Sequence, residues 1–293
     1  MSNNTNPLAG HFRVPKLYTG LPSDGKFYDS NIIDMPTTKE LPVFPMTAKD
    51  EIMMKNPDAL LNGEAVASVL MSCVPAIKQP RQLVSNDIDA LLVAIQAATY
   101  GDELDVGAAC PQCNEQASAV LSAEVVLANM DTLDKNYEFT TDTGLLISMK
   151  PFSYETSVKA GVANFRSSRS LQSIDAIEDE MEKIKAFNSN FIELASLNFD
   201  ILVDSIGSIT VPSAEDGNPL VVSDVNHIRE FLENADASIG TQLESFIEEL
   251  SNIGIQKKMQ LTCVKCSEEL PEGEEYNFES VVNFNTVNFF TAS

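Results

Sequence analysis

Four of the five cysteines in this 293-residue chain form two pairs with two residues between the partners: Cys110-Pro111-Gln112-Cys113 and Cys263-Val264-Lys265-Cys266. Two intervening residues let a tight turn aim both sulfurs at one point, and two such turns complete a tetrahedral thiolate cage around zinc, with Zn–S near ~2.3 Å. The expectation is one structural zinc on Cys110, Cys113, Cys263 and Cys266. Four protein ligands leave no position open for water, so this chemistry fastens a fold and predicts no catalysis. Asn114 after the first pair tolerates the left-handed backbone such turns often use, while Ser267 after the second is less suited to it. Two other readings stay open on these residues alone. Cys-Pro-x-Cys also occurs in thiol-disulfide oxidoreductases, although the active pair there normally opens a helix in a βαβ context and needs no second pair. A set of buried thiols without metal is the other. Cys73, alone in an apolar helical pattern, reads as a small buried hydrophobe.

No further catalytic constellation stands out. His11 falls in a Pro/Gly-rich stretch and His227 on an expected helix, and each reads as incidental. There is no Gly-rich phosphate loop, G-x-S-x-G elbow or H-E-x-x-H. The acidic clusters Glu178 to Glu182 and Glu268 to Glu275 read as solvated faces.

The elements that must position the cysteines follow from pattern. Residues 1–46 carry Pro7, Pro15, Pro22, Pro36, Pro42 and Pro45, which would break any helix repeatedly, so an extended arm with short edge strands is expected, turning at Ser23-Asp24-Gly25. Its removal is expected to leave the core folded and weaken assembly contacts. Thr47 and Asp50 form a capping box ahead of a short helix that Pro57 and the Asn62-Gly63 turn end, and a second helix runs from about Glu64 to Val74. The stretch SNDIDALLVAIQAATYG predicts a long helix with Ser85 as cap, Asp87 and Asp89 complementing the positive helix start, and Gly101 as stop. Strands are expected on both sides of the first cysteine pair, the second running over Ala117 to Val126. A hairpin is expected over Tyr137 to Met149, turning at Asp142-Thr143-Gly144.

Residues 153–255 read as mainly helical, interrupted by a hairpin of Ile209 to Val211 and Leu220 to Val222 around Gly217-Asn218. Ser223 is the expected cap of a helix to Asn234, and another runs over Ala237 to Ile253. Lys258 to Thr262 returns as a strand into the second pair. The tail YNFESVVNFNTVNFFTAS reads either as a terminal strand or as an aromatic docking arm. The fold class is thus α+β: an extended N-terminal arm (1–46), a small α/β core with a zinc-ribbon-like site of four cysteines (47–152 plus 256–293), and a mainly helical insertion (153–255). The long separation of the pairs is tolerable, because loop-closure entropy grows by only about 0.6 kcal/mol per doubling of length and a folded insert brings its own ends together.

The charge narrows the partners. With 43 acidic and 19 basic side chains, a formal net charge of −24, the chain would be repelled by nucleic-acid phosphates and anionic membranes. No signal segment or membrane-spanning run is apparent, so a soluble cytosolic protein that meets other proteins is expected.

The serial order of LPSDGKFYD, FPMTAKDEIMM, NPDALLNGEAVASVLMSCV, SNDIDALLVAIQAATYGDEL and CPQC resembles the baseplate hub or hub-assembly proteins of T-even-type contractile-tailed bacteriophages. The resemblance covers roughly residues 15–150, resumes around the second cysteine pair, and leaves out about 153–255. It implies a non-enzymatic virion or assembly protein that contacts other hub or tail proteins, in the tail baseplate or in the host cytoplasm during assembly, with no small-molecule substrate. A zinc-ribbon adaptor in transcription or replication and an oxidoreductase are the alternatives. The first would show a basic or aromatic nucleic-acid face, the second an accessible Cys110.

Overall fold

In the computed structural model, residues 7–133, 137–174, 179–212, 219–268, 270–271 and 274–281 are described. Two short strands, β1 (Leu17–Thr19) and β2 (Leu41–Val43), pair antiparallel near the start. Between them Asp24 and Gly25 both take positive φ, 53° and 72°, as the turn signal requires. Helix α1 (Ala48–Met54) opens with the expected capping box: the Asp50 amide donates to Thr47 Oγ1 at 3.2 Å and the Thr47 amide to the Asp50 carboxylate at 2.8 Å. Pro57 does not simply end this region. It starts a short helix α2 (Pro57–Leu61) capped by Asn56, a first-turn position where proline loses no hydrogen bond.

Helices α3 (Glu64–Cys73) and α4 (Ser85–Tyr100) build the larger core. Ile88, Leu91, Leu92 and Ile95 of α4 are all buried, packed with Val66, Val69 and Leu70 of α3. Leu21, Ile33, Leu41 and Val43 lie in the same cluster, so the proline-rich start of the chain is one wall of the core and its removal would open that core. The α4 start also departs from expectation. Ser85 is the first helical residue, and Val84 precedes it without a side-chain cap. Tertiary contacts hold Val84 instead: it bridges to Ser153, and its amide donates to the Tyr28 hydroxyl at 2.9 Å.

Strands β3 (Glu103–Ala109) and β4 (Gln116–Ser122) form an antiparallel hairpin. The second strand stops short of the expected Val126. Ser122 Oγ accepts from the Val125 amide at 3.2 Å and starts helix α5 (Ala123–Ala128). Strands β5 (Tyr137–Thr140) and β6 (Leu146–Met149) form the expected hairpin, with Gly144 at φ 82°. Two long helices, α6 (Tyr154–Ile174) and α7 (Glu180–Asp204), then pack on each other and lead into β7 (Ile206–Val211) and β8 (Leu220–Val222). The four strands make one sheet in the order β5-β6-β7-β8, so it joins strands from either side of residue 152. The Gly217-Asn218 turn lies outside the described residues.

Helices α8 (Val225–Asn234) and α9 (Ala237–Ser251) cover this sheet in a second apolar cluster that includes Ile147, Ile206, Ile209, Ile228, Leu243 and Leu250. Asp224, not Ser223, caps α8: the helix begins at Val225, which puts Asp224 at the N-cap, where its carboxylate accepts from the Asn226 and His227 amides. Strand β9 (Lys258–Cys263), the single turn α10 (Val264–Ser267) and β10 (Tyr276–Val281) follow. The tail beyond residue 281 lies outside the described residues. No described helix is long and apolar enough to cross a membrane.

Candidate metal centre

Each cysteine pair sits where a hairpin strand ends. In the first, β3 and β4 stay in register to Ala109 opposite Gln116, and the Cys110 amide then donates to the Glu115 carbonyl at 2.8 Å. The Asn114 amide closes the turn onto the Cys110 carbonyl at 2.9 Å, with Asn114 at φ 59° as its residue type foreshadows. In the second, Cys263 ends β9 opposite Tyr276 of β10. Here the chain turns helically through α10, so Ser267 needs no left-handed backbone. Its hydroxyl donates to the Cys263 carbonyl at 2.7 Å and accepts from the Tyr276 amide at 2.9 Å, tying the turn to the opposite strand.

The two hairpins meet through β4 and β9, which brings all four sulfurs within 4.8 Å of one another. Cys110 Sγ lies 3.8 Å from Cys266 Sγ, and Cys113 Sγ 3.5 Å from Cys263 Sγ. A tetrahedron of sulfurs ~2.3 Å from a central ion has edges of about 3.8 Å, so these separations suit a shared metal. They are far too long for disulfides, whose sulfurs are ~2.05 Å apart. Cys110, Cys263 and Cys266 are buried with Ala117, Leu261 and Phe278, and Cys113 is half-buried. Among the described residues this is the one gathering of three or more such side chains with ligating atoms close enough to hold a metal ion.

The electrostatics separate the thiols. Burial opposes ionisation of Cys110, but the Cys113 and Gln112 amides donate to its sulfur, and the balance lowers it to about 7. Burial, with the other sulfurs beside it, pushes the Cys266 thiol up. Thiolates crowded into an apolar pocket cannot all ionise unless a cation joins them, and a metal ion supplies that charge. At the rim, Lys265 Nζ reaches to 3.9 Å from Glu115 Oε2, an ion pair linking the two turns.

The remaining sequence candidates stand apart. His11 and His227 are exposed, the latter 3.8 Å from the Asp224 carboxylate. Cys73 is fully buried in the larger core, where burial raises its thiol to about 11, in keeping with a packing role. Two long-range polar contacts left no trace in local sequence pattern. Arg13 donates to the carbonyls of Pro45 and Ser72, each at 2.6 Å, and Asp87 binds Ser23 and Tyr28.

Comparison with curated proteins and with solved structures finds no match. A family model does match. It runs from residue 19, within the arm, to residue 284, across both cysteine turns and the helical block that the sequence resemblance left out. Because that match covers most of the chain, this protein belongs to the T4 bacteriophage base plate protein family.

Proposed function

We propose that this chain is a structural or assembly subunit of the baseplate hub of a contractile phage tail. In this reading Cys110, Cys113, Cys263 and Cys266 share one structural zinc ion. The observation that carries it is the family match, whose span of residues 19–284 takes in the ribbon and the helical block. Membership in a baseplate family supports a structural role at the phage tail, and the work of the chain in this reading is contact with other tail proteins. The zinc assignment rests on the four sulfurs at tetrahedral spacing. Zinc would supply the charge that lets these thiols ionise together, and with four protein ligands it would hold no water for catalysis. Burial of Cys110 favours a metal ligand over an attacking thiol, which must be accessible.

The same reading divides the chain into the arm, the core with its ribbon, and an inserted unit. Pairing of β6 with β7 supports counting β5 and β6 with the insertion. The test is quantitative mass spectrometry of purified phage particles. A fixed small copy number beside the other hub proteins is the expected result. Absence from particles, with abundance in infected cells, would make the chain an assembly factor, and absence from tail intermediates as well would overturn the reading.

A further inference from the structure

Helix α6 carries one continuous face of Tyr154, Val158, Val162, Phe165 and Arg169, spaced at helical intervals. Its first turns are covered. Tyr154 is buried, Val158 packs on the larger core, and the five-residue α2 lies against α6. The fit there is close, since a Cβ on Gly63 would come 2.4 Å from the Val158 side chain. Past the end of α2 the same face runs on with no cover among the described residues, and Phe165 is 44 % exposed. An open groove of about 750 Å³ follows it, lined by Leu61, Val162, Phe165, Arg166 and Arg169 together with Asn62 and Ser170. A second groove of about 460 Å³ adjoins it across Leu61, Phe165 and Arg169.

The charge of this surface is opposite to that of the chain. Among the described residues no acidic side chain lines the larger groove, although acidic side chains outnumber basic ones 43 to 19 overall. Asp58 borders the smaller one. The Arg169 guanidinium lies 5.4 Å over the Phe165 ring, which presents a flat cationic and aromatic platform. Arg166 makes no hydrogen bond or ion pair among the described residues, and it borders both this groove and a neighbouring cavity that Glu155, Glu193 and Asp200 also line.

We propose that this groove docks an acidic amphipathic helix of another baseplate protein, in line with α2 along α6. The inference rests on the reading of the chain as a baseplate contact protein and names the kind of partner. Apolar anchors of that helix would cover Leu61, Val162 and the Phe165 ring beneath Arg169, and its carboxylates would meet Arg166 at the edge of this cationic platform. From Val162 to Leu171 the described face is about 14 Å long, room for between two and three turns of a neighbouring helix. Nucleic acid is the poorer occupant, because two arginines on an apolar floor do not offset the repulsion from a chain of net charge −24.

The experiment replaces Phe165 with a photo-reactive phenylalanine analogue in the full-length chain, expressed in infected cells. Cross-links are identified by mass spectrometry, with the analogue at exposed Val120 of β4 as the control site. The expected product joins residue 165 to an acidic, amphipathic segment of a different tail protein. The double variant Arg166→Glu, Arg169→Glu should lower its yield roughly tenfold or more with the circular dichroism spectrum unchanged. No cross-link, one to a second copy of this chain, one to nucleic acid, or one insensitive to charge reversal would overturn the inference. A charge-sensitive cross-link from a chain that never enters the particle would keep the docking site and overturn only its place as a virion subunit.

Discussion

Asp87, the third residue of α4, is fully buried, and its carboxylate accepts from the Ser23 amide at 2.9 Å and from the Ser23 and Tyr28 hydroxyls at 2.5 Å each. Burial raises its pKa to about 6, partly offset by those three donors. An unfolded aspartate titrates near ~3.9, so the folded state binds this proton more tightly and the ionised carboxylate counts against folding above about pH 6. Stability from this group therefore rises as pH falls from 7 toward 4. Between pH 7 and pH 5 the wild type should gain about 1 kcal/mol relative to Asp87→Asn, whose amide cannot titrate. Denaturant unfolding of both proteins at the two pH values measures this, and parallel responses would show that Asp87 is already neutral or never desolvated. From sequence, Asp87 reads as a residue that complements a helix start. Nothing within its own window announces Ser23 or Tyr28, because a tertiary partner some sixty residues away leaves no periodicity. Asn114 is the opposite case: its left-handed backbone is legible, since that preference belongs to the residue itself.

At the scale of elements, the hairpins that bear the cysteines were legible because strand alternation and turn chemistry are both local. The start and end of several elements were not. The Ala123 to Ala128 run suits a strand or a helix equally by composition, and the Ser122 hydroxyl decides for a helix by capping it. Ser85 and Ser223 each lie beside a helix start without capping it, because Val84, fixed by distant contacts, and Asp224 hold the two N-cap positions. The ribbon itself has only a small apolar cluster, in which three of the six buried residues are cysteines. Two short hairpins with so little core do not hold each other unaided, whereas a structural zinc contributes on the order of 10 kcal/mol. Protein purified without chelator should thus carry about one zinc per chain by metal analysis. Cys113→Ser should lose most of it and Cys73→Ser none. Less than about half an equivalent in the wild type would refute the metal assignment.

Across the whole molecule, two larger apolar clusters carry the fold, and the start of the chain is built into the first of them. Phe27 and Tyr28 also touch the second cluster, so this segment wedges between the two. Proline spacing makes residues 1–46 look like a detachable arm, because it reports that the backbone is extended and says nothing about what the side chains meet. Leu21, Ile33, Leu41 and Val43 are each at most 3 % exposed. Truncating one buried aliphatic side chain costs about 2–5 kcal/mol. Removing four at once costs on the order of 10 kcal/mol, comparable to the whole stability of a domain, typically about 5–15 kcal/mol. Ahead of them the balance reverses: Phe12 is 62 % exposed, while Arg13 grips Pro45 and Ser72. Two truncations separate these contributions. Deleting residues 1–12 should leave a cooperative thermal transition with its midpoint within a few degrees of wild type. Deleting residues 1–45 should abolish the transition, by opening the core and by stripping the buried Asp87 carboxylate of its donors. A soluble chain starting at Met46 with a cooperative transition would show that α3 and α4 close without that wall, and that the segment serves assembly alone.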